Sequence, residues 1–391
     1  MTFGPGAAVW ERFGHNGIWI VDNELGVDRI YDWGRFSFGD GFVSRFLKGY
    51  LRYWMGSAPS WAYFQTYREV DRSIWVQELA LDARARRRLL ASLQELDTDA
   101  RRFYDYNYYT DNCSTRVRDA LDEAAGGALA RLLQATPATG NYRSHTQRLT
   151  AVDVALNAGL LLAIGPRVDA PATAWQESFI PMALRAHVRA AEVARPDGSI
   201  EPLVRREWTI HQSTAVAPPE APPSLIPKLL ALGLGLAALI ALLGSRAGAA
   251  RAGWSRRGLA LVVGGWGLLA GLLGTIILGL WLGTEHVFTY GNENVVQMTP
   301  LSLGLAILGP IAILRGRATR LVAGLSAAVA ALSAIGFFAQ VLPGLDQVNG
   351  AIVALALPVH LATAWALRGG AAYGRPRAAP RDAAGGALEG G

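Results

Sequence analysis

Apolar residues dominate the second half of the chain, where five stretches approach the roughly 20 residues needed to cross a bilayer. They are Leu225–Leu243, Gly258–Leu282, Val295–Leu314, Leu321–Leu342 and Gln347–Leu367. Within them only Lys228, at the start of the first, carries a charge. The pattern predicts an all-α bundle of five transmembrane helices over residues 225–368, followed by a disordered tail over 369–391.

Small residues recur in these apolar stretches. They include Gly233, Gly235, Gly264, Gly265, Gly271 and Gly274. Because lipid gives no hydrophobic drive to helix association, small residues at the interfaces favour close helix contacts. The stretches are therefore expected to pack together as a bundle.

Residues 1–215 show short apolar runs separated by turn residues, which is typical of an α+β domain. Gly17–Val21 and Arg29–Phe38 predict adjacent antiparallel strands, and Trp75–Leu81 predicts a third. Leucines on one face predict a helix over Ala83–Leu96, and a second helix is expected from Cys113 through Glu123. Asp82 is the expected N-cap of the first helix.

Two segments of this region predict turns or extended chain. Pro196-Asp197-Gly198 is expected to form a turn between short strands. Residues 216–224 are rich in proline and predict an extended linker to the membrane domain.

The charge distribution excludes one class of function and predicts an orientation. The net charge is +6, but the positive excess lies from Ser224 onward, beside the apolar stretches. Nucleic-acid binding is therefore not expected. Loops 244–257 and 315–320 and the C-terminal tail carry arginines, whereas loops 283–294 and 343–346 carry no Lys or Arg. By the positive-inside rule the C-terminus is expected to be cytoplasmic and residues 1–223 extracytoplasmic.

An exported domain needs a signal, and the first residues have neither a basic segment nor an apolar one. We expect a signal peptide or signal anchor upstream of the given start.

Cys113 is the single cysteine, so no intramolecular disulfide is possible. It lies at the predicted start of a helix and three residues before Arg116. A helix N-terminus and a nearby guanidinium both favour the thiolate, which makes Cys113 a candidate nucleophile. The alternative is a small buried apolar residue. Backbone N–H groups at Cys113 and Ser114 are candidate oxyanion donors.

A thiolate nucleophile needs a base, and His15 is the candidate because glycines at 14 and 17 leave space around its ring. The alternative is a turn histidine with a satisfied hydrogen bond. His145 and His187 are expected to be solvated. Candidates for a third catalytic group that orients the imidazole are Asp32, Asp111 and Asn112. For Asp111 and Asn112 the alternative is helix capping.

Other patterns indicate substrate contacts rather than cofactors. Asp111 and Arg116 are candidate substrate-binding residues beside Cys113. In the external loop 284–294, His286, Asn292 and Asn294 are candidates to bind lipid headgroups, the alternative being an ordinary polar loop. No His/Cys pair has metal-ligand spacing, and there is neither a Gly-rich phosphate loop nor a Gly-x-Ser-x-Gly motif. Neither a metal nor a cofactor is expected.

Several of these segments together resemble the Lnb-type N-terminal periplasmic domain family of bacterial membrane proteins. The resemblance spans about residues 5–190, and the loop Thr284–Pro300 also resembles the membrane part of the family. It rests on Phe13–Gly17, Tyr31–Gly34, Asp71–Gln77, Tyr106–Arg116, Asp169–Thr173 and Phe179–Pro181.

The resemblance implies a permuted papain-like fold of the NlpC/P60 and lecithin:retinol acyltransferase type, in which the histidine precedes the cysteine. It implies Cys113 as nucleophile and His15 as base of a lipoprotein N-acyltransferase. The expected reaction moves a fatty acyl chain from a phospholipid, through a Cys113 thioester, to the N-terminal amine of a lipoprotein. The alternatives are a cell-envelope cysteine hydrolase or peptidase of the NlpC/P60 type and a non-catalytic membrane receptor or structural protein.

Overall fold

The computed structural model describes residues 1–39, 41–194, 198–247 and 253–368. The chain divides into two compact units. The first joins Met1–Pro223 to Leu280–Tyr290, and the second joins Ser224–Gly279 to the residues from Gly291 onward. The predicted disordered tail, 369–391, lies outside the described residues, as do Pro196 and Asp197 of the predicted turn.

The first unit contains an antiparallel sheet with strand order β6-β4-β3-β2-β1-β5-β9 and a separate β7-β8 hairpin. The strands are β1 (Thr2–Phe3), β2 (His15–Asp22), β3 (Val27–Arg35), β4 (Arg52–Pro59), β5 (Ile74–Leu79), β6 (Phe103–Asp105), β7 (Glu192–Ala194), β8 (Ile200–Pro202) and β9 (Val204–His211). In β2 and β3, Gly17 pairs with Asp32 and Ile18 with Tyr31. The predicted hairpin of adjacent strands is confirmed.

Helices flank this sheet and connect its strands. They are α1 (Phe42–Lys48), α2 (Ser60–Glu69), α3 (Ala83–Leu96), α4 (Cys113–Ala124), α5 (Ala128–Ala135), α6 (Tyr142–Thr150), α7 (Val154–Ala163), α8 (Ala174–Glu177) and α9 (Pro181–Ala190). Short 3-10 helices lie at Val9–Glu11, Pro166–Val168 and Val287–Thr289. The Asp82 carboxylate accepts a hydrogen bond from the Ala85 N–H at 2.7 Å, so α3 begins where its cap predicts.

The sheet buries apolar side chains on both faces because neighbouring residues of β3 point in opposite directions. Tyr31 joins a core cluster with Leu93 of α3 and Val117 of α4. Ile30 joins a second cluster with Phe3 and Tyr63, on the side of α2. The first unit is thus an α/β region in which α4 packs directly on the central strands.

Two of the predicted strands, β3 and β5, end earlier in the structure than expected. β3 ends at Arg35 rather than Phe38, because its register with β4 shifts between Asp32 and Arg35 and pairing stops there. β5 ends at Leu79 rather than Leu81, since the following residues lead into the N-cap of α3.

The second unit is helical. Its helices are α10 (Ile226–Ala247), α11 (Gly253–Gly283, which ends in the first unit), α12 (Asn294–Gln297), α13 (Ser302–Leu314), α14 (Arg320–Ala339) and α15 (Gly350–Leu367). With α12 and α13 taken as one span, five helices are long and apolar enough to cross a membrane. Five long apolar helices are therefore present, as predicted, although the third is interrupted near Pro300, which lacks a backbone donor.

Close helix approach in this unit depends on glycine, as predicted. A Cβ on Gly233 would lie 2.6 Å from the Leu355 carbonyl oxygen, and one on Gly274 would lie 1.8 Å from that of Met298. No larger residue fits at either position without moving the backbone. A Cβ added to Gly235 or Gly265 would meet no neighbouring atom within 4 Å, so the prediction of close contact is wrong for these two glycines.

Candidate functional site

The start of α4 holds Cys113 in a fixed position. Asn112 is the N-cap, and its Oδ1 accepts hydrogen bonds from the backbone N–H groups of Ser114 and Thr115, both at 2.9 Å. Its Nδ2 donates to the carbonyl oxygens of Tyr108 and Phe179, also at 2.9 Å. These four bonds connect the start of α4 to the segment at Tyr108 and to the segment at Phe179, between α8 and α9. The Cys113 backbone therefore has little freedom.

β3 passes directly beneath Cys113. Gly34 has φ +95°, a conformation that L side chains rarely adopt. A Cβ at this position would lie 3.4 Å from the Cys113 Cβ. The backbone conformation therefore favours glycine at this position, and the contact distance shows that β3 lies against Cys113.

His15 is the first residue of β2 and lies between a carboxylate and the thiol. Its Nε2 is 2.9 Å from Oδ2 of Asp32 on β3, because strand pairing places the two residues near each other. The Cys113 sulfur is close enough to the His15 ring to interact with it electrostatically and to raise the pKa of His15. Since Nε2 faces Asp32, the nitrogen left for Cys113 is Nδ1. The structure thus brings together three of the predicted residues, in the order Cys113, His15, Asp32.

Asp32 is itself held by a second cation. Its Oδ1 accepts a hydrogen bond from Arg35 Nε at 2.8 Å, and Arg35 Nη2 donates to the Tyr63 hydroxyl at 2.6 Å. Asp32 is only 6% exposed. Burial raises the pKa of this carboxyl, but hydrogen bonds and charge attraction from His15 and Arg35 outweigh it and hold the pKa below its usual value.

The electrostatics of the site favour a protonated His15. Burial lowers its pKa, but the Tyr67 hydroxyl, the Cys113 sulfur and Asp32 act in the opposite direction, and the net pKa lies well above the ordinary histidine value. An imidazolium beside Cys113 stabilises the thiolate form. This is the electrostatic arrangement of a cysteine nucleophile paired with histidine.

The other candidates beside Cys113 have structural partners. Asp111 receives a bidentate pair from Arg116, with N–O distances of 2.5 and 2.6 Å, and the Arg116 guanidinium lies 4.5 Å from the centre of the Tyr104 ring. Asn112 uses its amide for capping. Of the three candidate orienting groups, Asp32 is therefore the one that contacts His15.

The predicted residues of the loop 284–294 fall in different units. His286, in the first unit, hydrogen-bonds the Tyr108 hydroxyl through Nδ1 and the Phe46 carbonyl through Nε2, the latter at 2.8 Å. Asn292 and Asn294, in the second unit, are fully buried. Asn292 Oδ1 accepts from the Asn294 N–H at 3.0 Å and from Gln347 Nε2 at 3.2 Å. The His286 and Asn292 side chains thus have protein partners, and Asn294 is held through its backbone N–H.

The expectation that His145 and His187 are solvated is wrong. His145 is 5% exposed, and its Nε2 lies 2.8 Å from Oε1 of Glu177. His187 Nε2 lies 3.0 Å from the other carboxylate oxygen. The polar residues around each histidine suggested solvent, but α6, α8 and α9 converge on one buried carboxylate that the local sequence does not reveal.

Tyr104 was missed by the sequence analysis. Its hydroxyl is buried and has no hydrogen-bond partner among the described residues. Burial and the negative charge of Cys113 raise its pKa, so the hydroxyl stays a donor near the sulfur. The alternating tyrosines at 104, 106 and 108, just before Cys113, are the sequence signal that points to it.

The candidate oxyanion donors at the helix start are partly occupied. The Ser114 N–H is bound to the Asn112 cap, so this part of the expectation is wrong. The Cys113 N–H has no hydrogen-bond acceptor among the residues that the structure describes. The Cys113 N–H can therefore donate to a bound substrate. The buried Tyr104 hydroxyl is the candidate for a second donor.

Metal binding has no evident site in the ranges that the structure covers, because no cluster of three or more His, Cys, Asp or Glu side chains is arranged to hold an ion there.

Comparison with known protein families gives a match for the N-terminal part of the chain. The model of a family described as Lnb N-terminal periplasmic domain matches residues 1–148, which include His15, Asp32 and Cys113. No curated protein and no solved structure matches the chain. The resemblance inferred from the motifs is confirmed over this range. This chain is a membrane protein whose residues 1–148 match the model of the Lnb N-terminal periplasmic domain family.

Proposed function

We propose that this protein is a membrane-bound thiol acyltransferase that moves a fatty acyl chain from a phospholipid to the N-terminal amine of a lipoprotein. The observation that carries the proposal is the contact series Cys113–His15–Asp32, in which the pKa of His15 is raised beside a cysteine at a helix start. A helix that begins with the cysteine and packs on an antiparallel sheet bearing the histidine supports a permuted NlpC/P60-type, papain-like fold for this unit.

In the first step the Cys113 thiolate attacks the carbonyl carbon of a phospholipid ester. A C–S bond forms and the ester C–O bond breaks. The departing alkoxide takes the proton of the His15 imidazolium and leaves as a lysophospholipid. The Cys113 N–H and the Tyr104 hydroxyl are the candidate donors to the carbonyl oxygen while it carries negative charge.

In the second step the α-amino group of a lipoprotein attacks the thioester. Neutral His15 takes a proton from the attacking nitrogen, a C–N bond forms and the C–S bond breaks. The sulfur leaves as a thiolate beside the imidazolium, which restores the starting ion pair. Asp32 keeps the ring oriented in both steps, because it holds Nε2 and leaves Nδ1 toward the sulfur.

A cavity in the first unit supports a lipid donor. It has a volume of about 410 Å³, within the range of small-ligand sites. Its lining is mostly aromatic, with arginines at its polar part: Phe36, Ser37, Phe42, Arg45, Tyr50, Leu51, Arg52, Tyr53, Trp54 and Phe103. Phe36 follows Gly34 by two residues, and the Tyr53 ring stacks on that of Tyr106 at 4.3 Å. Aromatic walls suit an acyl chain, and guanidinium groups suit the phosphate.

The experiment is to incubate the full-length protein with phospholipid vesicles and measure its intact mass. We expect an added fatty-acyl mass on Cys113 that hydroxylamine removes and that disappears when a diacylglyceryl lipopeptide with a free amine is added. Cys113→Ala should show no adduct, and Asp28→Asn, an exposed change on β3, should leave it intact. Absence of any adduct, with cleavage of cell-wall peptides instead, would establish the hydrolase alternative.

A further inference from the structure

Helix α1 carries large apolar side chains that the described part of the protein leaves exposed. It has seven residues and no buried side chain. Val43 is 67% exposed, Leu47 58% and Phe46 42%. A helix this short is not stable alone in water, and exposing three large apolar side chains adds to the cost. Its environment must supply the missing burial.

The exposed apolar residues of α1 continue onto the flanking chain. Trp10, Phe38 and Tyr50 are each more than half exposed. The Phe38 ring lies 5.8 Å from that of Trp10 and 5.0 Å from that of Phe42. We name this patch the aromatic surface, and its members are Trp10, Phe38, Val43, Phe46, Leu47 and Tyr50. Contiguous apolar patches of this kind mark interaction sites.

The aromatic surface is connected to the end of a membrane span. α11 ends at Gly283, and the residues after it belong to the same compact unit as α1. The Glu285 N–H donates to the Lys48 carbonyl at 2.8 Å, and His286 Nε2 bonds the Phe46 carbonyl at 2.8 Å. α1 is therefore held within a few residues of the point where α11 leaves the bilayer.

The composition of α1 also suits a lipid interface. Arg45 and Lys48 lie among its apolar side chains. Long cationic side chains reach toward phosphates while their stems stay among apolar groups, and aromatic rings concentrate at the same depth. A soluble protein partner could bind the aromatic surface without the hydrogen bonds that join α1 to the residues after α11.

We propose that the aromatic surface inserts into the leaflet on the side of the periplasmic domain, in the bilayer that holds the five apolar helices. Its apolar side chains enter the acyl region, while Arg45 and Lys48 remain at the headgroups. This insertion would place the cavity that Phe42 lines next to the lipids. The proposal is independent of the reaction at Cys113.

The single native cysteine makes a direct test possible. In full-length Cys113→Ala protein, Val43→Cys is labelled with the fluorophore NBD, and Val152→Cys, which replaces an exposed residue of the same unit, is the control. Both are reconstituted in nanodiscs of phosphatidylcholine and phosphatidylglycerol. We expect the label at 43 to emit at shorter wavelength, to be quenched by doxyl-labelled lipid, and to resist iodide several-fold better than the label at 152.

Equal iodide quenching at the two positions would overturn the proposal. So would a blue-shifted label at 43 that doxyl lipid does not quench, because that result indicates burial against protein, such as a second copy of the chain. Leu47→Cys, on the same helix, gives the same readout if Val43→Cys fails to fold.

Discussion

At the scale of single residues, His15 lies between two negative groups, and each has a different task. Asp32 fixes the ring through Nε2, and Cys113 interacts with the remaining nitrogen. Arg35 holds the Asp32 carboxylate through its second oxygen, so Asp32 cannot rotate away from the ring without losing two bonds. The raised pKa of His15 thus depends on Tyr67, Cys113 and Asp32 rather than on the histidine alone.

Asp32→Asn should weaken the ion pair at the site. Loss of the negative charge lowers the pKa of His15, so less imidazolium is present at pH 7 to stabilise the thiolate. We expect alkylation of Cys113 by iodoacetamide to slow about tenfold at pH 7, the effect of one pKa unit, and to approach the wild-type rate at high pH. Asp28→Asn is the control. An unchanged pH profile in Asp32→Asn would contradict the assigned role.

Tyr104→Phe separates a transition-state role from a structural one. The buried hydroxyl has no partner among the described residues, so its removal should not lower stability. If it donates to the oxyanion, single-turnover formation of the acyl-enzyme should slow about 100-fold. Alkylation of Cys113, which forms no oxyanion, should be unaffected. Asp28→Asn is the control, and an acylation rate in Tyr104→Phe equal to that of this control would remove Tyr104 from the mechanism.

At the scale of elements, the start of α4 depends on the segment between α8 and α9. The Ser178 carbonyl accepts from the Ser114 hydroxyl at 2.6 Å, and the Phe179 carbonyl accepts from Asn112. The preceding residue, Glu177, bonds His145 of α6, His187 of α9 and the Thr139 N–H. One carboxylate therefore connects the helices that support the nucleophile.

Glu177→Gln should destabilise this unit by about 3 kcal/mol, because it breaks a buried charged cluster. In the wild-type protein, hydrogen bonds from His145, His187 and Thr139 outweigh the effect of burial and hold the pKa of Glu177 below the ordinary value of 4.5. A depressed carboxyl pKa stabilises the fold fully above pH 4.5, and the contribution is lost as pH falls below that value. We expect the thermal midpoint of the full-length protein to fall at pH 7 and the difference from wild type to shrink in acid.

The exposed Glu192→Gln, which lies in the same unit, is the control for Glu177→Gln. A thermal midpoint equal to that of the wild-type protein at pH 7 would show that the cluster does not support the fold.

At the scale of the whole molecule, two units of different chemistry share one chain. The first has an α/β core, and the second consists of apolar helices whose backbones approach through glycine. The chain leaves the second unit for Leu280–Tyr290 and returns to it at Gly291. A short loop between two apolar helices therefore belongs to the first unit.

The charge pattern of the loops predicts the topology. In intact spheroplasts of Cys113→Ala protein, an impermeant maleimide should label Asp346→Cys and not Ala318→Cys, because the loop around Ala318 is rich in arginine and is expected to be cytoplasmic. Permeabilisation should expose both. Labelling of Ala318→Cys in intact cells would invert the orientation.

Local pattern by itself determined the parts of this protein that depend on neighbouring residues in the chain. Runs of apolar residues predicted the five spans, and capping residues predicted the starts of α3 and α4, since these signals act over a few residues. The motifs around His15 and Cys113 selected the two residues that the structure brings into contact.

Only the tertiary structure decided among alternatives that the sequence left equal. Strand pairing brought Asp32 to His15, whereas helix capping occupied Asn112 and an ion pair occupied Asp111. Helix packing buried His145 and His187 against Glu177 and left the Tyr104 hydroxyl beside Cys113 without a partner among the described residues. Each outcome depends on contacts between residues far apart in the chain, and their energies are set by register and burial that no local pattern encodes.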